Sequence, residues 1–291
     1  MNRAHSAARA FRSPMLLLLA PVLVVQAWRT VRRTPRLDPA TGDEQGFVAG
    51  ADPGRGPALR VMVIGESTAV GVGASRHAEA LPGFLAEELG ERLRRSVAWS
   101  VSGRNGATAR RIIGGLVPPA NGSAPNVVVV TAGINDLIRR RPLRRWGADV
   151  TELVALLRGR FPEATVLVAG MPPVHRFPAL PRPLRSVLGA RARAMDRITR
   201  DAAAAGGAVH APMDEAMARD RRLFAADGFH PSAAGYRAWA RDLARVAVAA
   251  APAPGPAPGP DAAPAAGPAP GPGDPPQETP PAGAVPPRTA D

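Results

Sequence analysis

An α/β fold, with a parallel sheet covered by helices on both faces, is predicted by three features of this sequence. Apolar, β-branched runs recur at Leu59–Ile64, Val97–Val101, Asn126–Thr131, Thr165–Ala169 and Ala208–Ala211. Their apolarity is continuous rather than alternating, which fits strands buried on both faces. Segments of helical periodicity separate them, and regular βα alternation implies crossover connections, right-handed because strands twist that way.

The chain in order begins with residues 1–36, in which Arg3, Arg9 and Arg12 precede an apolar run from Met15 to Trp28, followed by Arg29, Arg32, Arg33 and Arg36. This pattern is a basic region followed by a hydrophobic one. The run is short for a membrane span, which takes about 17–25 residues, and Pro21 and Gln26 interrupt it. It reads first as an uncleaved membrane anchor, second as a secretory signal, for which Val25-Gln-Ala27 is a passable cleavage site, and third as a soluble amphipathic segment. The arginines on its two sides nearly balance, so they do not set an orientation. Residues 37–57 are rich in Gly, Pro and Asp without periodicity and read as a linker.

The domain spans 58–249. After the strand at 59–64 comes a helix from Leu81 to Arg95 with Phe84, Leu85, Leu89 and Leu93 on one face. The strand at 97–101 leads through a Gly-rich turn to a helix over Ala107–Leu116. The third strand is followed by helix from Ile134 to Arg158, interrupted at Pro142. After the fourth strand a Pro-rich loop runs from Met171 to Pro183, then a helix from Leu184 to Ala205, the short fifth strand, and a last helix from Ser232 to Ala249. Residues 250–291 are nearly all Pro, Ala and Gly and are expected to be disordered, because they cannot bury enough surface to offset chain entropy.

Composition excludes some chemistries. Without cysteine there is neither a disulfide framework nor a thiolate metal site. The formal charge is +13, all of the basic residues are Arg, and seven of them precede the first carboxylate, Asp38. Arg139–Arg141, Arg144, Arg145 and the helix over 185–200 read as solvated faces. With aromatics at 4%, the composition argues against nucleic-acid binding.

Chemistry-bearing residues gather where strands end. Gly65-Glu-Ser67 closes the first strand, at the sheet edge where open α/β folds place ligands. Gly106 follows the second strand, where a residue without a side chain lets a backbone N–H approach a substrate oxygen. Gly133-Ile-Asn135 follows the third, and an amide there can donate to a developing oxyanion. Asp227-Gly-Phe-His230-Pro sits on a turn before the final helix. An aspartate three residues before a histidine can accept from Nδ1–H and leave Nε2 free to take a serine's proton. Each block alone has a bland reading as a helix cap or a turn. Three consecutive strand ends and a closing Asp-x-x-His in this order do not.

The four blocks resemble those of the SGNH (GDSL-type) hydrolases, over about Ala58 to Ala249. The resemblance implies a flavodoxin-like three-layer α/β/α sandwich with a five-stranded parallel sheet. It implies Ser67 as nucleophile, His230 as general base and acid, and Asp227 as the group orienting His230. The N–H groups of Ser67 and Gly106, with the Asn135 side chain, would form the oxyanion hole. No metal or organic cofactor is implied. Glu66 stands where the family has Asp, an expected change in the surroundings of the site only. Asp136 and Thr68 are read as structural, and His77, His175 and His210 as loop or surface residues, His175 with a minority reading as a pocket residue.

The function expected is ester hydrolysis through an acyl-serine, on short acyl or acetyl groups carried by a small molecule, lipid or glycan. The alternative is a non-catalytic envelope or scaffold protein that keeps the fold. The N-terminal segment makes a membrane the expected partner. The sequence identifies neither the natural substrate nor the oligomeric state.

Overall fold

A computed structural model describes residues 14–52, 56–119 and 124–250 of the chain. The expectation for the Pro/Ala/Gly-rich tail falls outside these residues, as does that for the first thirteen. The elements are α1 (Pro14–Arg33), β1 (Gln45–Val48), β2 (Leu59–Gly65), α2 (Leu81–Leu93), β3 (Val97–Gly103), α3 (Ala109–Ile113), β4 (Val127–Thr131), α4 (Ile134–Ile138), α5 (Leu143–Arg160), β5 (Thr165–Ala169), α6 (Leu184–Ala205), β6 (Val209–Ala211) and α7 (Ala233–Ala250).

The strands form one sheet in the order β1-β3-β2-β4-β5-β6, parallel throughout except for β1. The sheet therefore has six strands where five are expected. The sixth lies inside the stretch read as a linker: Gln45–Val48 pairs antiparallel with Val97–Ser100 at the edge.

Strand residues alternate between two cores. Val61, Val63, Val129 and Leu167 face Leu85, Leu89, Trp239 and Leu243 of α2 and α7. Ile64, Val128, Val130 and Val168 face Trp146, Leu153, Leu157 and Met195 of α5 and α6. Two apolar faces per strand explain why the runs lack a polar alternate. The result is the three-layer α/β/α sandwich.

The order of the strands places the site. β3 joins one side of β2 and β4 joins the other, so the direction of winding switches at β2, where such sheets open a crevice beyond their carboxyl ends. The ends are level, because Gly65 pairs with both Gly103 and Thr131. Gly65 has φ +158°, and a Cβ there would strike the carbonyl and hydroxyl oxygens of Thr131, so only glycine fits where the two strands close up.

The helix α1 runs through Pro21. No described helix is long and apolar enough to cross a membrane, so a spanning anchor is not shown. Instead Leu23 and Ala27 pack against the second core, and Gln26 binds the start of α6: Nε2 donates to the Arg182 carbonyl (2.6 Å) and Oε1 accepts from Leu184 N–H (3.0 Å). Leu18, Val24, Trp28 and Val31 remain exposed.

Candidate active site

Ser67 begins the turn after β2 and is buried, 3% exposed. The turn is closed by Val70 and Val72, whose N–H groups donate to the carbonyls of Glu66 (3.4 Å) and Ser67 (3.0 Å). From the other side the buried Tyr236 of α7 donates its hydroxyl to the Val72 carbonyl at 2.7 Å.

His230 arrives on a short loop whose two arms are joined by a bridge between Phe224 and Pro231. Ala225 N–H donates to the His230 carbonyl (2.8 Å), and Gly228, in a left-handed conformation at φ +61°, makes the reversal. The structure brings Ser67, His230 and Asp227 together. His230 Nε2 lies 3.0 Å from Ser67 Oγ and Nδ1 lies 2.6 Å from Asp227 Oδ2. Asp227 Oδ1 accepts from the backbone N–H groups of Phe229 (2.9 Å) and His230 (3.0 Å). Burial pushes the Asp227 carboxyl up, but the bonds from His230 and the two backbone groups outweigh it and hold it below the usual carboxylate range. Such a carboxylate fixes the tautomer with a proton on Nδ1 and a lone pair on Nε2, aimed at the serine.

The three strand-end loops meet around the same point. Arg104 N–H donates to the Gly65 carbonyl (3.0 Å), which seats the β3 loop beside Ser67. Gly106 has φ +78°, with no atom within 4 Å of where a Cβ would stand. Neither the Ser67 nor the Gly106 backbone N–H donates to another described residue. Asn135 differs. Its Nδ2 donates to Glu66 Oε2 (2.7 Å) and to the Ala107 carbonyl (3.0 Å).

Glu66 is more than a bystander in this geometry. It is 5% exposed, and besides the Asn135 amide it accepts from the backbone N–H groups of Ile134 and Asn135, each at 3.3 Å. Burial raises its pKa to about 8, against the pull of those hydrogen bonds. Asp136, beside it, is buried and accepts from Ala109 N–H at 2.9 Å, joining α4 to α3.

A pocket opens from Ser67 and His230. Its wall includes Phe177, Met213, Met217, Phe224 and Phe229, with Trp239 behind. Phe177 meets Phe224 and Phe229 edge to face at 5.6 and 5.1 Å. None of these residues stands in a periodic segment except Trp239. Their nearness to Ser67 comes from the loops over 171–183 and 212–231 folding over the sheet edge, which no local signal announces. Two of the other histidines, His77 and His210, depart from the loop-or-surface expectation, while His175 keeps to it. His77 is buried, with Nδ1 3.3 Å from the Gly42 carbonyl. His210 lies on β6, its Nε2 2.9 Å from Asp196, whose Oδ1 also accepts from Met171 N–H and so holds the start of the pocket loop. His175 is absent from the pocket wall and lies 3.7 Å from Glu215. Among the described residues no group of His, Asp and Glu is arranged to hold a metal ion.

Three comparisons bear on this geometry. The model of the family described as GDSL-like Lipase/Acylhydrolase matches residues 63–238. A GDSL-like esterase of Mycobacterium tuberculosis is 32% identical over 201 residues, which cover 65% of this chain and 62% of that protein's length. Among solved structures, phospholipase A1 from Streptomyces albidoflavus superposes with a TM-score of 0.53 at 18% identity, over 66% of this chain and all of that one. A carbohydrate esterase family 2 enzyme from Corynascus thermopiles, carrying a carbohydrate-binding domain, gives 0.50 at 17% identity, over 67% of this chain and 68% of that one. At these identities the structural likeness concerns the fold.

Proposed function

The chain belongs to the GDSL-like lipase/acylhydrolase family, and from that premise we propose that it is a serine esterase working through an acyl-Ser67 intermediate. The observation that carries the reading is the relay of two short contacts, Ser67 Oγ to His230 Nε2 at 3.0 Å and His230 Nδ1 to Asp227 at 2.6 Å. In this reading Ser67 Oγ attacks the ester carbonyl carbon as its proton passes to His230 Nε2. The carbonyl π electrons move to oxygen, and the oxyanion is received by the N–H groups of Ser67 and Gly106 with the Asn135 amide. Collapse breaks the carbon–oxygen bond, and His230 returns the proton to the leaving alkoxide. Water, deprotonated by His230, then attacks the acyl group and frees Ser67.

The apolar wall of Phe177, Met217, Phe224 and Phe229 supports an apolar acyl chain as the group held beside Ser67. The active domain is read as 58–249. The segment 1–36 is read as associating with a membrane or as directing secretion. Exposed Leu18, Val24, Trp28 and Val31 beside Arg29, Arg32 and Arg33 suit a membrane interface.

A fluorophosphonate tests the central claim. It is expected to label Ser67, found by mass spectrometry of the modified peptide. A folded protein that takes up no label, and hydrolyses neither acetyl, butyryl nor longer esters, would instead be the non-catalytic scaffold.

A further inference from the structure

The Asn135 amide has two hydrogens, and both are engaged within the protein. Glu66 Oε2 and the Ala107 carbonyl are both acceptors, so the nitrogen, not the oxygen, of the amide faces them. Glu66 follows β2, Ala107 follows β3 and Asn135 follows β4. One side chain therefore links the three loops that carry Ser67, Gly106 and Asn135. Glu66 also holds the backbone on which Asn135 is mounted, through the N–H groups of Ile134 and Asn135. Aspartate, with one methylene fewer, reaches about 1.5 Å less far along an extended side chain, so these bonds depend on the glutamate of this chain.

We propose that Glu66 is the positioning residue of the oxyanion hole: its carboxyl stretches the Asn135 amide between the Ser67 and Gly106 loops, and its charge sets how freely that amide donates to a developing oxyanion. The proposal rests on the reading of Ser67 as nucleophile. A neutral Glu66 accepts weakly from Nδ2–H, so the Asn135 amide is freer to rotate as a unit and present that hydrogen to the oxyanion. An ionised Glu66 binds the hydrogen more tightly, and sets a like charge close to the oxyanion in a site where burial keeps screening low. The titratable groups that face it are Asp136 from α4 and Tyr236 from α7, with His230 lining the same pocket. Burial, with a smaller push from Asp136, outweighs the hydrogen bonds from Asn135 and Ile134 and raises the Glu66 pKa to about 8. Activity then requires a neutral Glu66 at the alkaline end.

The full chain tests this in two ways. In kinetics, wild-type kcat is expected to fall as pH rises through about 8, and Glu66→Gln to keep its kcat on that limb. Glu66→Ala is expected to lower kcat about 10–100-fold, with KM within about twofold, below the 10²–10³-fold loss typical of deleting an oxyanion donor outright. In an Asn135→Ala background the same Glu66→Ala change is expected to cost less than about threefold, because the group it positions is gone. Equal losses in both backgrounds, or an alkaline limb that survives in Glu66→Gln, would overturn the proposal. The second measurement needs no ester: the Asn135 side-chain amide signals in ¹⁵N NMR are expected to titrate with a midpoint near 8 in the wild type and to stay still in Glu66→Gln. Signals that do not move between about pH 6 and 10 refute the coupling. A titrating amide in a protein that fluorophosphonate does not label keeps the coupling and removes the esterase reading.

Discussion

Asp227 holds His230 at two places at once: Oδ2 stands 2.6 Å from the ring Nδ1, and Oδ1 accepts from the backbone N–H of the same residue at 3.0 Å. Ring and main chain are therefore fixed relative to one carboxylate. The third bond, from Phe229 N–H, ties in the neighbour whose ring meets the imidazole edge to face at 5.4 Å. An imidazole so mounted has little freedom to leave Ser67.

The first prediction concerns that carboxylate. Asp227→Asn retains an oxygen for the backbone donors but offers the ring an uncharged partner, which no longer stabilises the imidazolium and permits the wrong tautomer. We expect kcat for a p-nitrophenyl ester to fall by about 10²–10⁴-fold with little change in KM. The same group predicts a stability effect. Its folded pKa lies below its unfolded one, so its contribution is present above the ordinary carboxylate value and is lost as pH falls through the lowered folded value. Urea midpoints of wild type and Asp227→Asn should therefore converge below about pH 4.

Ser67→Ala is expected to abolish turnover of a short-chain p-nitrophenyl ester while the melting temperature stays within about 3 °C. The hydroxyl's recorded partner is His230 Nε2, so its removal leaves no buried donor stranded and costs stability about 1 kcal/mol or less. Full activity in this variant would move the nucleophile elsewhere.

Glu66 gives a pH-dependent stability of opposite sign to Asp227. Its folded pKa, about 8, is above the ordinary 4.5. The neutral carboxyl suits the folded state, so its contribution is fully present below the unfolded pKa and is lost as pH rises toward and through the folded one. Between pH 4.5 and 8 the wild type should lose on the order of a few kcal/mol relative to Glu66→Gln. Denaturant titrations at four or five pH values across that window check this, and parallel curves for the two proteins would contradict it.

The pocket wall gives a specificity prediction. Met217 sits on a single-turn 3₁₀ segment, Met217–Arg219, at the pocket and is partly buried. Met217→Trp adds bulk where the acyl chain would lie, without opening a cavity in either core. We expect kcat/KM for esters of octanoate and longer acids to fall about tenfold relative to acetate, a difference of about 1.4 kcal/mol, with acetate itself little changed. A panel of p-nitrophenyl esters of increasing chain length reads this directly.

Much of the architecture was legible in the residues because it is written locally. The bounds of Thr165–Ala169 follow from an apolar run, the stretch Leu184–Ala205 reads as helix, and the break at Pro142 follows from backbone chemistry. The adjacency of Ser67 and His230, 163 residues apart, was legible through the order of four blocks along the chain. What stayed hidden is what pairing creates. Strand β1 has four residues, a glycine among them and Phe47 exposed on its outer side, too little to show a period. Glu66 looked like a variant of a motif residue, because its partners come from the ends of β3 and β4. The aromatic wall is assembled from two irregular loops, where spacing along the chain says nothing about distance in space.

The modest strand β1 also has a practical meaning. It shields one border of the sheet, where β3, seven residues long, would otherwise present an open row of amide and carbonyl groups. A shortened protein cut at the domain limit suggested by composition, near residue 58, would strip that cover away. Two such molecules could then zip together along their bare margins, so any fragment made for crystals or assays should retain Gln45–Val48.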